Sequence, residues 1–160
     1  MPTDHLITYP QPLDIFSPGD LFTPTIRATA TYDTELRRYV NASVAFEHSL
    51  QAVSSTAIRG VPIHRRISNV ERELLREANP ALLTRGPVKT YFRGTAGRKV
   101  SAHHAVHPSD DQLENAAIIF HLASVIRDAP VRAIERCFSI TYKQAQRWVR
   151  LARRKGILDR

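Results

Sequence analysis

The side chains of this sequence that are best suited to chemistry are basic residues and amides near its C-terminal end. Residues 129–160 contain nine Lys and Arg against two acids, Glu135 and Asp159. Basic groups neutralise phosphates and pair with guanine, and glutamine pairs with adenine through two hydrogen bonds. A basic run with so few acids is typical of nucleic-acid binders, although a solvated helix face is the simpler alternative. The candidate DNA contacts are Thr141, Tyr142, Lys143, Gln144, Gln146, Arg147, Arg132, Arg150, Arg153, Arg154 and Lys155.

Most of these candidates lie on a helix predicted from residue 142 to residue 155, and they divide into two groups by the part of the DNA that each is expected to contact. The group expected to face base edges lies near the start of that helix and consists of Tyr142, Lys143, Gln144, Gln146 and Arg147. The group expected to contact phosphates consists of Arg132, Arg150, Arg153, Arg154 and Lys155. Backbone amides near Thr141, at the helix start, would add a further phosphate contact.

A second basic segment lies in the middle of the chain. Residues 84–107 contain five basic residues and no acid, and Arg93, Arg98 and Lys99 are expected to follow the DNA backbone or a minor groove. The whole chain carries a formal charge of +8, with a pI near 10.2. Such an excess favours a polyanionic partner.

Two helices are predicted to precede the helix that carries the candidates. Ser109 and the two aspartates after it begin the first, because they cap free amides and favour the positive end of the helix dipole. Apolar residues then repeat on one face from Leu113 to Ile126. Pro130 is well placed as the first residue of the second helix.

The third helix begins after Thr141, which is a favourable cap, and ends before Gly156. Only a three- to four-residue turn separates it from the second helix, and this is the spacing of a helix-turn-helix. The core of that motif is expected to contain Ile134, Phe138, Ile140, Ala145 and Trp148.

Four short segments near the C-terminal end form a pattern: Pro130-Val131-Arg132-Ala133-Ile134, Gln144-Ala145-Gln146-Arg147-Trp148-Val149, Ala152-Arg153 and Gly156-Ile157-Leu158. With the acidic entry Pro108-Ser109-Asp110-Asp111, this pattern resembles the helix-turn-helix of many small actinobacterial and actinophage proteins. The resemblance covers about 50 residues of the sequence. It implies sequence-specific binding to duplex DNA, often in regulatory, replication or phage-encoded roles, and no substrate chemistry.

Two positions depart from the pattern of that family. Ser139 stands in the turn where the family has glycine, so a left-handed backbone there would be strained. Glu135 stands where the family has a small alanine, so its charge must turn outward or the two helices must cross at a greater distance.

The N-terminal half predicts a small α+β module. Its proline-rich first two dozen residues are expected to be irregular. Period-two alternation predicts strands over Ile26–Tyr32 and Val40–Phe46, paired as an antiparallel hairpin, and a weaker extended piece near Ala52–Ile58. Apolar residues at three- and four-residue intervals predict an amphipathic helix from Ile63 to Ala78.

The sequence is therefore predicted to be α+β, with three parts. Residues 1–84 form an N-terminal domain of hairpin plus helix, residues 85–107 a basic linker, and residues 108–160 a three-helix helix-turn-helix domain. Because about 80 residues give a marginal core, the N-terminal domain is expected to dimerise or to bind a partner.

No pattern in the sequence predicts catalysis, so we expect that the protein is not an enzyme. It has neither a Gly-rich phosphate loop nor a Gly-x-Ser-x-Gly elbow. Cys137 is the single cysteine, and the histidines at 103, 104, 107 and 121 lack acidic or thiolate partners, so neither a metal nor another cofactor is expected. No apolar run reaches membrane-spanning length and no secretory signal is present, which predicts a cytoplasmic protein without a membrane partner.

These patterns favour a sequence-specific double-stranded DNA-binding protein. In this interpretation it is a homodimeric transcriptional regulator of bacterial or phage type, which reads the major groove with the helix 142–155. The alternative is a protein-interaction module, in which the same fold docks an acidic protein of a phage or of the transcription machinery.

Overall fold

The computed structural model describes residues 3–20, 23–48, 53, 58–94 and 107–159. Over these residues the chain is α+β, with a three-strand antiparallel sheet and five α-helices. It divides into two compact units, which we call the sheet unit (Tyr9–Ala78) and the helical unit (Met1–Thr8 together with Asn79–Arg160). No helix in the described ranges is long and apolar enough to cross a membrane.

In the part of the sheet unit that the structure describes, there are three strands and one helix: β1 (Leu13–Ser17), β2 (Thr25–Asp33), β3 (Arg38–Glu47) and α1 (Ile63–Ala78). The strands pair antiparallel in chain order. Alternate residues of β1 and β2 are buried, as a half-covered sheet requires. Among the described residues, α1 packs on β1 and β2 but not on β3. The strands β2 and β3 and the helix α1 lie where the periodicity predicts them.

A β-bulge splits the apolar face that the alternation predicts for β3. Thr29 pairs with Ser43 but Ala30 pairs with Asn41, so Ala42 is an extra residue on β3. One extra residue exchanges the two faces of a strand. Phe46 and Val44 therefore lie beside Ile26 and Ala28 on the α1 side of the sheet, whereas Val40 pairs with Thr31 on the opposite side.

The proline-rich start of the chain contains a strand that the sequence did not predict. The strand β1 buries Leu13 and Ile15 and pairs with β2 from Leu13↔Ala30 to Ser17↔Ile26. Its alternation covers only five residues, which is too few to predict a strand. The flanking prolines, Pro10, Pro12 and Pro18, indicate irregular chain instead.

The described residues of the helical unit form four α-helices and two short 3-10 helices: α2 (Gly86–Phe92), α3 (Asp110–Val125), α4 (Pro130–Phe138), α5 (Tyr142–Arg154), Thr3–Leu6 and Pro80–Thr84. The central helix is α3, which contacts α2, α4, α5 and the first 3-10 helix. Because neighbours surround it, buried apolar residues occur on more than one of its faces, as in any fully enclosed helix. Those with no measurable exposure are Leu113, Ile118, Ile119, Leu122 and Ala123.

The folded units do not follow the predicted boundaries at residues 84 and 108. The start of the predicted linker is α2, and it buries Val88, Tyr91 and Phe92 against α3 and α4. The pair Gly86-Pro87 is typical of irregular chain between helices. Here, however, the proline occupies the first turn of α2, where its missing amide costs nothing. The first residues of the chain also belong to the helical unit, where Thr3 donates its amide to the carbonyl of Ile157 at 3.2 Å.

Several predicted features lie outside the described residues. They include the rest of the predicted linker from residue 95 to residue 106, with Arg98, Lys99, His103 and His104, and most of the extended piece predicted near Ala52–Ile58.

Candidate nucleic-acid interface

A sharp turn separates α4 from α5. The helix α4 ends at Phe138, and Ser139 adopts a left-handed conformation with φ 52° and ψ 36°. Its Cβ makes this conformation unfavourable, as the sequence predicts for a serine at this position. The Ile140 side chain is then buried, and α5 begins two residues later.

The start of α5 is fixed by a capping box. Thr141 Oγ1 accepts a hydrogen bond from the amide of Gln144 at 3.2 Å, and Gln144 Oε1 accepts one from the amide of Thr141 at 2.8 Å. Thr141 Oγ1 also donates to Gln144 Oε1 at 3.0 Å. Gln144 is therefore the helix cap partner. The structure does not place it as the base-reading residue that was predicted, because pairing with adenine needs the same amide oxygen.

The inner face of α5 packs against α4 and sets the direction of the outer face. The rings of Phe138 and Trp148 meet edge to face, with centroids 5.0 Å apart. Ala145 has no exposed surface and Trp148 is 3% exposed, so both lie in the core as predicted. Burial of these residues leaves the opposite side of α5 in solvent.

That opposite side carries a continuous set of basic residues, which we call the basic stripe. Its members line one shallow concavity of the surface: Lys143, Gln146, Arg147, Arg150, Arg153 and Arg154. The stripe contains no acid, and its five cations are exposed. Lys143, Arg147, Arg150 and Arg154 form no ion pair with any residue that the structure describes. These six of the eleven predicted contacts are brought together.

One member of the basic stripe is held by an aromatic ring. The guanidinium carbon of Arg153 lies 5.5 Å from the ring centroid of Phe120 on α3. A cation at this distance is attracted to the ring face while its hydrogen-bond donors stay available. Arg153 is therefore preorganised at the edge of the stripe.

Arg132 on α4 is held by two neighbours, Glu135 on the same helix and Tyr142 at the start of α5. Its Nη1 lies 2.8 Å from Glu135 Oε2, and its guanidinium carbon lies 4.6 Å from the ring centroid of Tyr142. The hydrogen bond from Arg132 to Glu135, and then the charge of Glu135, raise the pKa of Arg132 above its usual value. The carboxylate of Glu135, which stands where the resembled family has a small alanine, is therefore directed to this arginine.

Ion pairs also hold other basic residues of the helical unit, among them Lys155 and Arg85. Lys155 Nζ pairs with Asp110 Oδ1 at the start of α3, so the structure does not place it with the stripe. Arg85 pairs with Glu114 at 3.3 Å and donates to the buried Asn115 at 3.3 Å. The i, i+3 spacing of Arg132 and Glu135 is the one sequence signal for these pairs, because the partners of Lys155 and Arg85 are distant in sequence.

The remaining candidates add no further group to the stripe. Arg93 caps the end of α2 and is exposed. Over the described part of the chain, no three His, Cys, Asp or Glu side chains lie close enough to hold a metal ion.

Comparisons of the chain with protein-family models, with curated proteins and with solved structures gave no match.

Proposed function

We propose that α3, α4 and α5 form a helix-turn-helix domain and that the protein binds double-stranded DNA in a sequence-specific manner, as a transcriptional regulator in the cytoplasm. The observation that carries this proposal is the basic stripe. Five exposed cations and one glutamine share one face of a single helix, with no acid among them. An α-helix fits the major groove of duplex DNA, where side chains of this kind pair with base edges and phosphates.

The position of each stripe residue along α5 supports a division of labour. Lys143, Gln146 and Arg147 lie toward the start of α5, which enters the groove deepest in helix-turn-helix complexes. We assign to them the base edges, guanine for the two cations and adenine for the glutamine. Arg150, Arg153 and Arg154 lie further along the helix, and we assign to them the phosphates, which fix orientation without reading sequence.

The proposal includes a homodimer, because helix-turn-helix proteins commonly bind paired half-sites. In such a dimer the two copies of α5 would contact half-sites whose centres are about one helical turn apart, roughly 34–36 Å, or a multiple of it.

Selection from a random duplex pool, followed by salt titration, tests this function. We expect a selected sequence to bind more tightly than a scrambled duplex, with affinity falling steeply between 50 and 200 mM salt, by about 0.9 log units per log unit of salt for each phosphate contact. Arg147→Ala should remove about 1–3 kcal/mol of sequence discrimination. Arg154→Ala should weaken all duplexes alike.

Two results would contradict the proposal. Failure of the full chain to bind any duplex at low salt would leave an acidic protein as the candidate partner of the stripe. Equal affinity for selected and scrambled duplexes would remove sequence specificity from the function.

A further inference from the structure

The ion pair between Arg132 and Glu135 is unequally exposed. Both residues lie on α4, one helical turn apart, and their side chains are 58% and 25% exposed. The guanidinium is therefore accessible to a ligand from solvent. The carboxylate is the more enclosed partner.

Tyr142 holds this pair next to the proposed DNA-binding surface. It is the first residue of α5 and precedes Lys143 of the basic stripe. Its ring lies under the guanidinium of Arg132, with 4.6 Å between the guanidinium carbon and the ring centroid. Arginine stacked in this way keeps its hydrogen-bonding edge in the plane, where it can engage a carboxylate or a phosphate. In the structure that edge engages Glu135.

A DNA phosphate would have to compete with Glu135 for this guanidinium. An exposed ion pair is weak by itself, so the guanidinium is not locked. Exchange would nevertheless leave the Glu135 carboxylate partly enclosed, without its cation and close to the incoming phosphate. Both consequences disfavour the exchange, because an enclosed charge needs a partner and like charges repel.

We infer that Glu135 withholds Arg132 from the DNA backbone and thereby limits the sequence-independent part of the affinity for duplex DNA. The inference rests on the proposed function, since it assigns a role to one acid beside the same binding surface. It makes Glu135 a tuning residue that lowers binding to all sequences alike, without contacting a base.

The substitution Glu135→Gln in the full chain tests the inference, because it removes the charge and keeps the size of the side chain. Binding to the selected duplex and to a scrambled duplex is measured by fluorescence anisotropy between 50 and 200 mM salt. We expect tighter binding to both duplexes and a slope of log K against log salt that is steeper by about 0.9, the value for one added phosphate contact. The gain in affinity should then be about threefold larger at 50 mM than at 200 mM.

Two further variants separate this effect from simpler ones. The double variant Arg132→Gln/Glu135→Gln should return to the wild-type slope, and Arg132→Gln alone should leave that slope unchanged. Glu73→Gln is the matched control, because Glu73 pairs with Arg76 at the same i, i+3 spacing, at 2.6 Å, on α1 of the sheet unit. It changes the net charge equally and should not alter the slope. Circular dichroism checks that each variant retains the wild-type helix content.

The failure of this inference is distinct from the failure of the proposed function. If the wild type binds duplex DNA but Glu135→Gln leaves the slope unchanged, or Glu73→Gln steepens it equally, the role of Glu135 is refuted and the DNA-binding function stands. The role of Glu135 is also refuted if Arg132→Gln alone makes the salt dependence shallower, because Arg132 would then already contact a phosphate in the wild type. If neither the wild type nor Glu135→Gln binds any duplex, both proposals fail.

Discussion

Thr8 and Asn79 form two hydrogen bonds with each other. The amide of Thr8 donates to Asn79 Oδ1 at 2.7 Å, and Asn79 Nδ2 donates to the carbonyl of Thr8 at 2.8 Å. Asn79 is buried. The two residues lie at the points where the chain leaves the helical unit and returns to it, since the sheet unit is Tyr9–Ala78. The helical unit is thus assembled from two separated parts of the sequence.

Replacement of Tyr9–Ala78 by a short Gly-Ser linker should leave the helical unit folded. The linker has only to join two positions that are already hydrogen-bonded neighbours, and a short loop closes at little entropic cost. By contrast, a fragment of residues 108–160 should lose cooperative unfolding, because it lacks Val88 and Phe92 of α2, each worth roughly 1.5–3 kcal/mol when buried. Thermal unfolding followed by circular dichroism compares the two. If the fragment 108–160 unfolds cooperatively while the linker variant is already unfolded, the assignment of the units is wrong.

Ser139→Gly should stabilise the helical unit by about 1 kcal/mol. Ser139 occupies the left-handed region, where a Cβ is costly and glycine is not. Ser139→Ala keeps the Cβ and should give no such gain. Chemical denaturation of the three proteins measures the difference. A lower stability for the glycine variant would show that contacts of the serine side chain outweigh the backbone strain.

Two glutamines near the start of α5 should respond in opposite ways to alanine substitution. Gln144→Ala removes the side-chain half of the capping box, which accepts from Thr141, so the free energy of unfolding should fall by roughly 0.5–1 kcal/mol while sequence preference is retained. Gln146→Ala alters the basic stripe and should change stability by less than about 0.5 kcal/mol. It should relax preference at one base pair by about 1–3 kcal/mol. Chemical denaturation measures the stability of the two variants, and binding to a panel of point-substituted duplexes measures their sequence preference. A change of sequence preference in Gln144→Ala would return that residue to the base-reading group.

Arg85→Gln should destabilise the helical unit without changing its salt-dependent binding to DNA. Arg85 donates to the buried Asn115 and pairs with Glu114, so its loss leaves a buried acceptor unsatisfied, at about 1–3 kcal/mol. Arg154→Gln is the matched control, for which we expect wild-type stability and a salt slope reduced by about 0.9. A reduced slope in Arg85→Gln would mean that this arginine contacts phosphate despite its acidic neighbours.

The sequence predicts the elements whose periodicity runs over many residues. The strands β2 and β3 and the helices α1, α3, α4 and α5 lie where alternation, caps and prolines place them. It does not predict β1 or α2, because five and seven residues are too few to establish a period and nearby prolines indicate irregular chain. Nor does it predict the bulge at Ala42, since an extra residue shows only when the partner strand is known.

The outer face of α5 can also be predicted from helical periodicity, because the buried positions Ala145 and Trp148 determine which residues remain outside. The partners of the basic residues are harder to predict. Asp110 meets Lys155 across 45 positions of sequence, and Glu114 meets Arg85 across 29. Formal charge alone therefore overstates how many cations are available to a polyanion.

The division of the helical unit between the two ends of the chain also affects how the protein forms during translation. Tyr9–Ala78 is synthesised before α3, so that part can fold first, as domains generally do in order of synthesis. The amide of Thr3, in contrast, bonds to the carbonyl of Ile157. Thr3 must therefore wait until Ile157 has been synthesised before it reaches its place, and by then the whole of α5 has been made.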